Sequence, residues 1–166
     1  MVGSSSVPRP ITHASPELRR VAATDRRIRV PAELRHLEEV RAFIRTCALE
    51  SSAPETCVDD LVQAVDEAAT NVIVHGYAGR EGWLDVAVSP EPGQLVVTLQ
   101  DEAPAFDPTA VPEPDLTVPP ERRRPGGMGI HLIRLATDGF AHGPRPGGGN
   151  ILTLERTLDP RAKEDR

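Results

Sequence analysis

The chain has 166 residues, enough for one domain and a tail, and its 39% hydrophobic and 27% charged content allows a packed core. Aromatic residues make up only 3%, so that core has to be built from Leu, Val, Ile and Ala. The net charge of −6 divides into +4 over residues 1–30 and −10 over the remainder, and an acidic body excludes nucleic acid as the main ligand, because phosphate neutralisation needs a basic face.

Residues 1–25 are rich in Ser, Pro, Arg and Ala without apolar periodicity and read as a disordered leader. Ile28 and Val30 alternate with arginines and predict a short strand that ends at Pro31. Leu37, Val40, Ile44 and Cys47 recur at three- and four-residue steps, which predicts a helix from Pro31 to about residue 50. Ser51 to Pro54 breaks it. A second helix follows to about His75, with Leu61, Val65, Ala68 and Val72 as its apolar stripe and Gly76 as its stop. Residues 83–89 and 95–101 alternate around a Pro90 to Gly93 turn and predict an antiparallel hairpin, with Asp101 on the face of Leu95, Val97 and Leu99. Residues 102–125 hold seven of the 17 prolines and show no period, and a loop of that length in a compact domain carries a function or is disordered. A glycine turn at 126–129 opens a third helix to about Thr137; residues 139–143 and 151–158 are the last strands, and 159–166 a flexible tail. The order β-α-α-β-β-loop-α-β-β is an α+β pattern with helices on one sheet face.

Cys47 and Cys57 have no His or further Cys at metal-ligand spacing and read as reduced thiols. No apolar run approaches the ~18 residues of a membrane span, and Met1 to Pro10 lacks an apolar signal core. A cytoplasmic protein that engages no membrane is expected.

Three features carry chemistry. Glu67, Asn71 and His75 are spaced i, i+4, i+8 along one side of the second helix, where a carboxylate and an amide oxygen suit a divalent cation; the plain alternative is a solvated polar face. Asp101 ends a strand on an apolar face, where a buried carboxylate needs a partner such as the amino group of a base; a strand-end Asp that caps a turn is the alternative. Gly126-Gly127-Met128-Gly129 precedes a helix, and backbone N–H groups there suit phosphate, with Arg122, Arg123 and Arg124 just before them. No Lys or Ser/Thr follows as a Walker loop requires, and many helices simply begin after glycine.

In this order, Glu67-Ala-Ala-Thr-Asn71-Val-Ile-Val-His75-Gly76-Tyr77, then Asp101 with Phe106-Asp107-Pro108, then Gly126-Gly127-Met128-Gly129-Ile130, resemble the ATP-binding superfamily of gyrase and the histidine kinases. The match is closest to the bacterial anti-sigma-factor serine kinases and covers about residues 26–158. The resemblance implies a two-layer α/β sandwich of the Bergerat type, a mixed sheet with helices on one face, with ATP between the helices and a lid at 102–125. It implies that Asn71 ligates Mg²⁺ and that Glu67 is the general base toward a serine on a partner protein. It makes Asp101 the reader of the adenine amino group and Gly127 and Gly129 the room for the phosphates. Arg124, Gly126, Met128, Ile130 and His75 would line the nucleotide site, and Thr153 the adenine side. Its partners are a sigma factor and a small antagonist protein, and a homodimer is a further expectation, through the first strand or helix 31–50. One departure is Ala103, where the family usually has Gly; alanine adds a methyl and limits φ. It favours a second reading, a nucleotide-binding or partner-sequestering module without catalysis. A third, the catalytic half of a histidine kinase, calls for a dimerising hairpin with a phospho-accepting His, and none is seen before residue 26.

Overall fold

The computed structural model describes residues 25–118 and 127–159. Arg122, Arg123, Arg124, Gly126, nearly all of the leader and residues 160–166 lie outside them.

Five strands, β1 (Arg26–Pro31), β2 (Trp83–Glu91), β3 (Gln94–Asp101), β4 (Gly139–Pro144) and β5 (Asn150–Thr157), form one sheet in the order β1-β2-β3-β5-β4. All four pairings are antiparallel, which corrects the mixed sheet implied by resemblance. Three helices, α1 (Leu37–Glu50), α2 (Glu55–Asn71) and α3 (Met128–Ala136), complete the α+β order expected. Pro31 closes β1 rather than opening a helix; a short tight turn at Leu34–His36 leads into α1.

The layering follows from alternation. Leu84, Val86 and Val88 of β2, Leu95, Val97 and Leu99 of β3, and Leu152 and Leu154 of β5 share one face and are buried. Against them lie Val40, Ile44 and Cys47 of α1, and Cys57, Val58, Leu61, Ala64, Val65 and Ala68 of α2. These side chains recur at the helical period, so each helix buries one stripe and leaves the other to water. Burial of this kind contributes about 1.5–3 kcal/mol per large aliphatic side chain. Both cysteines are buried and free. No described helix is long and apolar enough to cross a membrane.

The end of α2 departs from the expected stop at Gly76. After Asn71 the chain widens into a π-type turn, Val72–Tyr77, and Ala78 then takes a left-handed conformation at φ 51°. The β-branched run Val72-Ile73-Val74 crowds an ordinary helical turn, and such widened turns occur frequently at functional sites. Tyr77 is buried just before the exit; its hydroxyl donates to the Trp83 carbonyl at 2.8 Å and accepts from the Glu102 N–H at 2.9 Å. One phenol thus ties the end of α2 to β2 and to the residue after β3.

Candidate nucleotide and phosphoryl-transfer site

A cavity of about 330 Å³ opens between α2, the widened turn, α3 and the ends of β3 and β5, within the range of small-molecule sites. Ala68, Val72, Ile130, Ile133 and Leu152 give it an apolar lining. Asn71, His75, Arg80, Asp101, His142 and Asn150 supply the polar side chains. An apolar slot with a few convergent polar groups suits a flat heteroaromatic base.

Asp101 sits where β3 ends, on the helix-facing side, and is 4% exposed. Burial pushes its carboxyl above the ordinary value, while Asn150, the Ala103 N–H, His142 and Arg145 pull it back down. Gly149, at φ 104°, brings β5 so close that a Cβ there would overlap the Asp101 carbonyl oxygen; only glycine permits this approach.

Ala103 does not take a positive φ, so alanine is accommodated here without the backbone freedom of glycine. Its methyl is buried and lies over Gly76, where an added Cβ would sit 3.0 Å from the Ala103 Cβ.

The other end of the site is built by helix packing. Gly127 caps α3 at φ 82°, and α3 runs against α2. Gly129, in the first turn of α3, faces Glu67 and Asn71: a Cβ there would lie 2.7 Å from Glu67 Oε2, 3.5 Å from Asn71 Nδ2 and 3.7 Å from Asn71 Oδ1. The glycine, the carboxylate and the amide therefore form one cluster. Asn71 Nδ2 is buried without a hydrogen-bond partner among the described residues, and a buried orphan amide calls for a ligand or an ion-bound oxygen. An amide oxygen beside a carboxylate is a donor set that fits Mg²⁺, which takes one or two protein ligands and the rest from phosphate and water.

Of the residues picked from sequence, Asn71, His75, Asp101, Ala103 and Ile130 line the cavity. Glu67 and Gly129 lie outside that lining but meet Asn71, which is part of it, and Gly127 caps α3 near Val111 and Pro112. Met128 is in the first turn of α3, 38% exposed and outside the lining. Thr153 does not come to the site. It pairs with Thr98 and Ala141 on the opposite parity from Leu152 and Leu154, so strand alternation turns it to the other sheet face. Arg124 and Gly126 fall outside the described residues.

Sequence reading missed Asn150 and His142. Asn150 opens β5 directly across from Asp101 and is 8% exposed. His142 lies on β4, with Nε2 3.2 Å from Asn150 Oδ1 and Nδ1 3.5 Å from Asp107 Oδ1. A polar residue just after the Gly147 to Gly149 run was the available signal, but it means nothing without the register. The proline-rich segment is held on α3 by Arg134, whose guanidinium donates to the Thr109 and Val111 carbonyls and pairs with Glu113.

A family model described as a histidine kinase-like ATPase domain matches residues 30–156. Over 106 residues the chain is 28% identical to an anti-sigma F factor of Clostridium acetobutylicum, a match covering 60% of this chain and 69% of that protein. It is 33% identical over 85 residues to an anti-sigma F factor of Clostridium botulinum, covering 50% of this chain and 59% of the other. It is 23% identical over 115 residues to the serine-protein kinase RsbW of Bacillus cereus, covering 67% and 72%. The crystal structure of the RsbU and RsbW domains of a Mycobacterium tuberculosis protein shares the fold, with a TM-score of 0.58 at 21% identity over 81% of this chain and 32% of that one.

Proposed function

Because the chain belongs to the histidine kinase-like ATPase family, we propose that it is an anti-sigma factor and a Mg-ATP-dependent serine kinase acting on a small antagonist protein. The observation that carries this is the cluster of Glu67, Asn71 and Gly129, in which the absence of a Cβ lets the first turn of α3 pack directly on a carboxylate and on an amide whose nitrogen has no partner among the described residues. The partners rest on likeness to proteins named anti-sigma F factor and serine-protein kinase.

In this reading the adenine lies in the apolar slot and its amino group donates to Asp101. The phosphates run toward the N-terminal turn of α3, where backbone N–H groups point outward. Asn71 would hold Mg²⁺ through its side-chain oxygen, and the ion supplies charge neutralisation at the phosphates when bound. The partner serine approaches in line. Its oxygen bonds to the γ-phosphorus as the bond from that phosphorus to the β–γ bridging oxygen breaks, and ADP leaves. Glu67 takes the hydroxyl proton. Positioning and charge stabilisation supply most of the rate in phosphoryl transfer, so one base and one cradle suffice.

Calorimetry with Mg-ATP on the full chain, followed by transfer of label from γ-labelled ATP to the proteins of a source-cell lysate, tests the proposal. Glu67→Gln is expected to keep Mg-ATP affinity within about twofold and to cut serine labelling by roughly 10²–10⁴. Full labelling by that variant removes Glu67 as base. Failure of the unmodified chain to bind Mg-ATP overturns the kinase reading, and binding without transfer favours the sequestering module.

A further inference from the structure

We infer that Asn150 is a positioning residue that decides which carboxylate oxygen Asp101 offers to a purine and ties that choice to the root of the proline-rich segment. The inference rests on the ATP reading above.

An asparagine amide has two donor hydrogens and an acceptor oxygen with two lone pairs. Asn150 engages both ends while 8% exposed. Its Nδ2 donates to Asp101 Oδ1 at 2.9 Å and lies 3.2 Å from the Pro104 carbonyl and 3.4 Å from that of Ala103. Its Oδ1 accepts the Phe106 N–H at 3.0 Å and stands 3.2 Å from His142 Nε2. One side chain therefore joins β3, β4, β5 and residues 103–106, the first stretch after β3.

The effect on Asp101 is directional. Oδ1 accepts from both Asn150 and the Ala103 N–H, the latter at 2.9 Å. Oδ2 makes no hydrogen bond among the described residues, and Asp101 lines the cavity. A carboxylate with one oxygen saturated presents the other as a pure acceptor. That acceptor suits the 6-amino group of adenine and opposes the 6-oxo group of guanine. Donors to Oδ1 also favour the ionised form against burial. Without them a protonated carboxyl would donate to a 6-oxo purine, and selectivity would fall. His142 of β4 and Arg145 of the following turn, which pairs with Glu102, act on the Asp101 charge, and His75 and Arg80 line the same cavity.

The test compares Asn150→Ala with the unmodified full chain in two assays. Calorimetry with Mg-ATP and Mg-GTP is expected to show the ATP-to-GTP affinity ratio falling about tenfold, the worth of one good hydrogen bond. Carboxyl-carbon NMR on the nucleotide-free protein is expected to show Asp101 titrating at higher pH, with faster amide exchange at Phe106. An unchanged ratio or an unmoved Asp101 titration in a folded variant overturns the inference. If the unmodified chain binds no ATP, the kinase reading fails by itself, and the NMR titration still decides the role of Asn150. Should Asn150→Ala not fold, Asn150→Ser is read in the same two assays.

Discussion

Asp101 holds a charge where burial disfavours one, and its carboxyl is pushed above the ordinary value as a result. A group whose pKa is raised on folding favours the folded state at low pH, and that contribution is lost as pH rises through the folded value. At neutral pH the ionised side chain therefore costs stability, a cost that the proposed adenine contact would account for. Asp101→Asn is expected to melt higher than the unmodified protein near pH 7.5, with the difference shrinking toward pH 4. The same variant is expected to lose roughly ten- to a hundredfold in ATP affinity, the scale of a charge-assisted hydrogen bond. Melting curves at the two pH values and calorimetry check both halves. A lower melting temperature for the variant at pH 7.5 contradicts the argument.

Between elements, the decisive contact is the approach of α3 to α2. Gly129 leaves less than the space of a methyl group beside Glu67 Oε2, since a Cβ there would lie only 2.7 Å away. The neighbour is the end of a flexible side chain, so Gly129→Ala is expected to change stability by less than about 1 kcal/mol while swinging the carboxylate away. Phosphoryl transfer should fall at least tenfold with Mg-ATP affinity less affected, measurable as a drop in kcat. The element order and the stripe of α2 are legible in the sequence, because Leu61, Val65 and Ala68 carry the helical period and residues 84–88 and 95–101 the strand period. Glu67, Asn71 and Asp101 are legible for a separate reason: the i, i+4 spacing on one helix side and the carboxylate ending an apolar strand face stand in the order that the family resemblance carries. The hairpin of β2 and β3 is legible because a Pro90 to Gly93 turn joins two strand periods, but the partners of strands far apart in sequence are not. Nothing local says that Asn150 lies opposite Asp101 across 49 positions of sequence, and Thr153, which the resemblance puts on the adenine side, is turned by alternation to the other sheet face, where it is buried. The mixed sheet implied by resemblance fails for the same cause, since two helices between β1 and β2 suit a parallel or an antiparallel return and the pairing is antiparallel.

Across the whole molecule, α2, β4 and β5 are joined by Arg156. It is 2% exposed and pairs with Asp60 of α2 at 2.9 Å and with Asp138, just before β4, at 2.8 Å. Burial alone would raise the Asp138 carboxyl, but the Thr157 N–H and the Arg156 guanidinium hold it below its ordinary value of 3.8. A depressed pKa contributes stability above that value and loses it as pH falls through the folded one. Arg156→Met is expected to cost about 3 kcal/mol at pH 7, the lower end for removing one partner of a buried pair, because Asp60 is partly solvated. Urea titrations should show the deficit narrowing below pH 3.8. The contact of Gly76 with Ala103 also spans the fold, from the end of α2 to the segment after β3, and it has a meaning for sequence change. The slot between those two backbones holds a single methyl group, and here residue 103 provides it. Gly76→Ala alone overfills the slot, whereas Gly76→Ala with Ala103→Gly moves the methyl across and should recover most of the loss, a coupling readable in a double-mutant cycle. The two positions then behave as one site of fixed volume, free to drift together and constrained when they drift apart.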